Sequence, residues 1–241
     1  MRIIAVDNYE EMSIKAAKII ASQIILKPDS ILGLATGSTP VGMYKELINM
    51  YKNRELDFSN VKTFNLDEYY GLSEENDQSY HYFMRKNLFN YINVKEKNIH
   101  IPNGNVADIE AECENYEKVI KESGGIDIQV LGIGGNGHIG FNEPDINFEA
   151  STHLVNLTQD TIEANSRFFS SIEEVPTKAI SMGIKTIMQS KKILLLANGE
   201  GKADAVYGMI KGKISPEVPA SILQLHNDVT VIVDKEASSK L

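Results

Sequence analysis

Short, almost wholly apolar segments alternate along this chain with segments that carry apolar residues at helical spacing, and that alternation leaves few folds open. The clearest apolar run, Ile126 to Ile133, is rich in Ile, Val and Leu and reads as a strand buried on both faces. Ile3 to Val6, Ile31 to Ala35, Val61 to Leu66, Lys192 to Ala197 and Val229 to Val233 read as further strands. Between them, Asn8 to Leu26 sets Met12, Ala16, Ile19, Ile20 and Ile24 on one helical face. Val41 to Tyr51, Tyr80 to Tyr91, Asp108 to Glu122 and Lys202 to Lys211 carry helical patterns too. The pattern predicts an α/β fold: a doubly wound, mostly parallel sheet with helices on both faces, in a Rossmann-like three-layer arrangement. With no repeat, low-complexity tract or linker, residues 1–241 read as a single domain. Ligands of such folds sit beyond the carboxyl ends of the strands, so the turns that follow strands are where chemistry is expected.

Charge and composition narrow the partners. A net charge of −9 gives no basic face for nucleic acid, so an anionic ligand would need local cations or the start of a helix. No run of eighteen apolar residues offers a membrane span. The N-terminus turns acidic at Asp7 before any long apolar region, which speaks against a signal peptide. A single cysteine, Cys113, forbids an internal disulfide and suits a reducing cytosol, so a cytoplasmic location is expected. Five histidines without a His-x-x-x-His spacing, and no cysteine pair, give no metal site.

Three turns stand out. Gly33-Leu34-Ala35-Thr36-Gly37-Ser38-Thr39-Pro40 follows a strand and opens a helix. Its small residues let a ligand approach the backbone, its hydroxyls can donate, and the helix start is a phosphate seat. A plain strand-to-helix turn would use similar residues. Phe64-Asn65-Leu66-Asp67-Glu68-Tyr69-Tyr70 brings two carboxylates beside aromatics, where an Asp of ordinary pKa, about 3.9, is ionised and can accept a proton. A solvated acidic turn also contains such a pair. Gly132-Ile133-Gly134-Gly135-Asn136-Gly137-His138-Ile139-Gly140-Phe141-Asn142-Glu143-Pro144 satisfies G-x-G-x-x-G but opens no helix, so it is not read as a dinucleotide site. It reads as an irregular loop carrying His138 and Glu143 into a pocket. Arg167 and Lys202 are two further cations; Lys202 lies just past a strand, and either could meet a phosphate.

Taken together, these stretches, with Ser79 to Phe89 and Ala164 to Phe169, resemble the glucosamine-6-phosphate deaminases, also called isomerases, from the first strand to the last. The resemblance implies conversion of glucosamine 6-phosphate and water to fructose 6-phosphate and ammonia, without an organic cofactor. By position, Asp67 would take the proton from C2 and return it to C1. His138 would open the pyranose ring through its ring oxygen, supported by Glu143. Thr36, Gly37, Ser38 and Thr39, with Arg167 and Lys202, would hold the phosphate. Many such deaminases carry Asp where this chain has Asn136, which keeps a place in the site as a positioning group. Allosterically activated members extend further beyond Asp234 and carry Arg and Lys where this chain has His153 and Val155, so activation by N-acetylglucosamine 6-phosphate is not expected. A monomer or small homo-oligomer is expected.

Two other readings compete. A 6-phosphogluconolactonase shares the Gly-rich loops, but its carboxylate motif ends in Arg rather than Tyr69, and a Ser-Leu-Phe-Pro-like stretch replaces Phe-Asn-Glu-Pro. A non-catalytic sugar-phosphate sensor would have no need of Asp67, His138 and Glu143 together.

Overall fold

The computed structural model describes residues 1–241. In chain order the elements are β1 (Arg2–Val6), α1 (Tyr9–Leu26), β2 (Ile31–Leu34), α2 (Val41–Lys52), β3 (Lys62–Asn65), β4 (Asp67–Tyr69), α3 (Tyr80–Asn87), β5 (Ile99–His100) and α4 (Ile109–Glu122). They continue as β6 (Ile128–Leu131), β7 (His153–Asn156), α5 (Gln159–Ser166), β8 (Lys178–Ser181), α6 (Ile184–Met188), β9 (Ile193–Ala197), α7 (Ala203–Lys211) and β10 (Val229–Asp234).

Seven strands form one sheet in the order β1-β10-β9-β6-β2-β3-β5, and every pairing in it is parallel. The predicted doubly wound α/β fold is what the chain adopts. Central strands are buried along their whole length, as the continuous apolar run of β9 and the Val- and Ile-rich β10 require. Helix α1 starts where Asn8 caps it by accepting from the Glu11 N–H at 2.9 Å, and it buries Met12, Ala16, Ile20 and Ile24 on the anticipated face. The main core runs from Val6 to Ala237. Neighbouring β2 and β6 send their following segments to opposite sides of the sheet, β2 leading to β3 and β6 lying beside β9. Such a switch point opens a crevice beyond the strand ends.

The sequence pattern gave no warning of a second sheet. Strands β4, β8 and β7 pair antiparallel in that order, with Asp67 opposite Ser181 and His153 also opposite Ser181. β4 has three residues and the other two have four each, too short to display a period. The helix expected over Tyr80 to Tyr91 stops at Asn87, and Phe89–Tyr91 forms a separate 3-10 turn. Lys202 ends a 3-10 turn, Glu200–Lys202, and does not lie inside α7.

Candidate active site

A pocket of about 660 Å³ lies at the switch point. Thr36, Gly37, Ser38 and Thr39 line it from the segment after β2, Gly132 to Gly135 and His138 from the segment after β6, and Asp67 from β4. Arg167 at the end of α5, and Lys202 with Asn198 beyond β9, complete the wall. Of the residues singled out from sequence, Asn136 and Glu143 do not line the pocket; they stand behind His138 and bond to it.

On the phosphate-like side, α2 begins with Pro40 at its N-cap and no side-chain cap. Tyr9 fixes the turn from outside, donating to the Ser38 carbonyl at 3.0 Å while accepting from the Gly42 N–H at 2.8 Å. Thr39 Oγ1 donates to Asn198 Oδ1 at 3.1 Å, tying this turn to the one after β9. Lys202 sits half-buried, and its ammonium is held below the ordinary lysine range, first by burial and then by the Arg167 guanidinium. Two cations kept close enough to oppose each other form a place where an anion is stabilised.

Across the pocket, His138 Nδ1 lies 3.2 Å from Glu143 Oε2. The same carboxylate oxygen accepts from Asn136 Nδ2 at 2.8 Å, and Asn136 Oδ1 accepts from the His138 backbone N–H at 3.2 Å. Glu143 Oε1 accepts from the Thr161 hydroxyl. Burial works to raise the Glu143 pKa, but the His138 hydrogen bond and charge, with the bonds from Thr161 and Asn136, hold it below the usual glutamate value. The ring lies flat over Gly134, where an added Cβ would come within 2.4 Å of it. Only glycine leaves that room.

Asp67 departs from its expected state. Its sequence context suggested a carboxylate of ordinary pKa. Instead it is 6 % exposed in a strand, and its pKa is pushed up to about 8 by burial and then by the charge of Glu68. Gly140, at φ 58, brings the His138 loop close: a Cβ there would lie 3.7 Å from Asp67 Oδ2.

Thr161, Asn165, Tyr80 and Asn198 join the site without having been foreseen. The Asn198-Gly199 pair just beyond β9 was a usable sign of a turn at a strand end. Thr161 carried none, since its role depends on where α5 packs.

A doubly wound sheet with a buried acid, an imidazole and paired cations at its switch point belongs with enzymes that handle phosphorylated sugars. The chain is a member of the family described as glucosamine-6-phosphate isomerases/6-phosphogluconolactonase, whose model matches residues 8–232. Among curated relatives, it is 70% identical over 241 residues to a glucosamine-6-phosphate deaminase of Clostridium botulinum (strain Langeland), covering 100% of this chain and 99% of that one. A glucosamine-6-phosphate deaminase of Clostridium acetobutylicum is 69% identical, with both chains covered in full. Among solved structures, a monomeric glucosamine-6-phosphate deaminase superposes with a TM-score of 0.98 at 51% identity, covering 100% of both chains. The 6-phosphogluconolactonase of Trypanosoma brucei shares the fold, with a TM-score of 0.79 at 19% identity over 100% of this chain and 98% of that one.

Proposed function

We propose that this protein converts glucosamine 6-phosphate and water to fructose 6-phosphate and ammonia. The observation that carries the reading is a single pocket in which a buried acid, Asp67, faces His138 and the Arg167–Lys202 pair. The identity of 70% to a deaminase over the full chain supports it.

The phosphate would sit against Thr36 to Thr39 and the two cations, which orients C1 and C2 toward Asp67. His138, held by Glu143, would pass the O1 proton to the ring oxygen and so open the pyranose. Asp67 would then take the C2 proton while the substrate's own C2 ammonium gives a proton to O1, leaving a neutral enolamine. Returning that proton to C1 leaves an iminium at C2. Water adds there, ammonia departs, and the C2 carbonyl of fructose 6-phosphate remains. A carboxylate whose pKa lies near 8 is a far stronger base than a solvated aspartate, as abstraction from carbon demands.

Residues 1–241 would act as one domain, supported by a core that runs from Val6 to Ala237. We expect a monomer, because the 51%-identical deaminase structure is of a monomeric enzyme. No helix is long and apolar enough to cross a membrane, and we place the enzyme in the cytoplasm with its phosphorylated substrate.

The deciding experiment offers the purified protein glucosamine 6-phosphate and, separately, 6-phosphogluconolactone. Ammonia release from the first is expected. Lactone hydrolysis without ammonia release would overturn the reading.

A further inference from the structure

Glu68, next to Asp67, is buried more deeply still, at 1 % exposed. Successive strand residues face opposite sides, so with Asp67 toward the pocket Glu68 lies behind β4, under the start of α3. There its Oε1 accepts from the Tyr69 N–H at 2.8 Å and the Tyr80 N–H at 2.9 Å. Its Oε2 accepts from the His81 N–H at 3.0 Å and meets His81 Nδ1 at 2.8 Å. Three of the four contacts are backbone donors, which suits a group that only accepts. Glu68 completes the cap of helix α3: the Ser79 hydroxyl accepts from the Tyr82 N–H, and Glu68 takes the two free N–H groups ahead of it, those of Tyr80 and His81. A buried carboxylate is an expensive way to satisfy backbone groups. Its place directly behind Asp67 gives it another task.

We propose that Glu68 is a positioning residue for proton transfer at Asp67: tied to the start of α3 and to the His81 ring, it holds the short strand β4 in place and sets its carboxylate directly behind the base. The inference rests on the reading of Asp67 as the base.

The other groups around the pair leave that role to Glu68. Tyr44 of α2, Tyr80 of α3 and Tyr116 of α4 lie within electrostatic reach of Asp67, and burial raises all three hydroxyls far above neutrality. Tyr69, on the same strand, is pushed up to about 12, again by burial first. All four are uncharged where the reaction runs. His138, Arg167 and Lys202 look at Asp67 only across the pocket. On the far side, Glu68 meets His81, whose Nε2 is 3.6 Å from Glu74.

The test is the pH profile of kcat/KM for glucosamine 6-phosphate in wild type, Glu68→Gln and His81→Ala. Titrations of the substrate itself are common to all three. Glu68→Gln removes the charge, so its acid limb should move to lower pH by about one unit, with kcat down roughly tenfold. His81→Ala leaves the charge and removes one donor from it, so its limb should move the other way, upward by about half a unit. A folded Glu68→Gln protein whose acid limb stays in place, or limbs that move in the same direction in both variants, would overturn the proposal. If Glu68→Gln does not fold, an unmoved limb in His81→Ala does so alone. Wild type that releases no ammonia refutes the activity itself, whereas an active wild type with unmoved variants refutes only the role of Glu68.

Discussion

Asn136 donates its side-chain amide to Glu143 across 2.8 Å, at the oxygen that also faces His138 Nδ1. An aspartate at 136 could not make that bond while ionised; it would set a second carboxylate against the first. Asn136→Asp should therefore favour a shared proton between the two carboxyl groups and loosen the hold of Glu143 on the His138 ring. Turnover of the cyclic sugar phosphate should fall by about tenfold, and steady-state kinetics beside Asn136→Ala, which lacks the second acid, checks it.

Thr161 joins α5 to this group through its hydroxyl bond to Glu143. Thr161→Val keeps the shape and removes the donor, leaving a buried carboxylate short of one partner. A loss of about 1–3 kcal/mol of stabilisation is expected, read as a fall in kcat of roughly 5- to 150-fold with little change in KM. Steady-state kinetics on the cyclic sugar phosphate separates the two constants.

As the proposed base, Asp67 should set the pH dependence of turnover. Its folded pKa is raised to about 8, so it is protonated below that value and able to accept a proton above it. kcat/KM should fall about tenfold for each pH unit below the limb. Asp67→Asn should abolish turnover and C2 proton exchange with solvent water, measured by deuterium incorporation.

The same residue affects stability with a definite sign. Between the unfolded value of 3.8 and the folded value of about 8, the native state binds the Asp67 proton and the unfolded state does not. Stability from this group is therefore present at low pH and lost as pH rises through that window. Asp67→Asn removes the loss, so at pH 8 to 9 the inactive variant should be more stable than wild type by on the order of a few kcal/mol. Urea unfolding of both proteins at pH 5 and pH 8.5 tests it, with the gap wider at the higher pH.

Arg167→Ala and Lys202→Ala should each raise KM for glucosamine 6-phosphate, with kcat/KM down roughly 10–100-fold, the size of a lost charge-assisted hydrogen bond. Inorganic phosphate should inhibit wild type more strongly than either variant. Unphosphorylated glucosamine should be a poor substrate for all three proteins.

The central strands and the turns after them were readable because burial on both faces demands continuous apolar runs such as Leu194-Leu195-Leu196, and a strand followed by small residues and Pro40 has few other meanings. The placement of Asp67 was not. β4 is too short to announce itself, and the burial of Asp67 follows from the pairing of β4 with β8 and the packing around it, which no local pattern foretells. Asn136 was visible as a departure, yet its use as a bridge between Glu143 and the His138 backbone needs the loop's actual path. Thr161 and Glu68 act through packing between segments distant in sequence, and such contacts leave no trace in spacing.

The pairing of Asp67 with Ser181 joins residues far apart in the chain, on strands outside the large parallel sheet. Helices such as α1 can form from local contacts, but β4 has no partner until β8 arrives. During refolding from denaturant, helical circular dichroism should thus recover ahead of ammonia release. Turnover becomes a reporter of the last long-range closure, and a nascent chain still lacking β8 on the ribosome would carry every phosphate-loop residue and no working base.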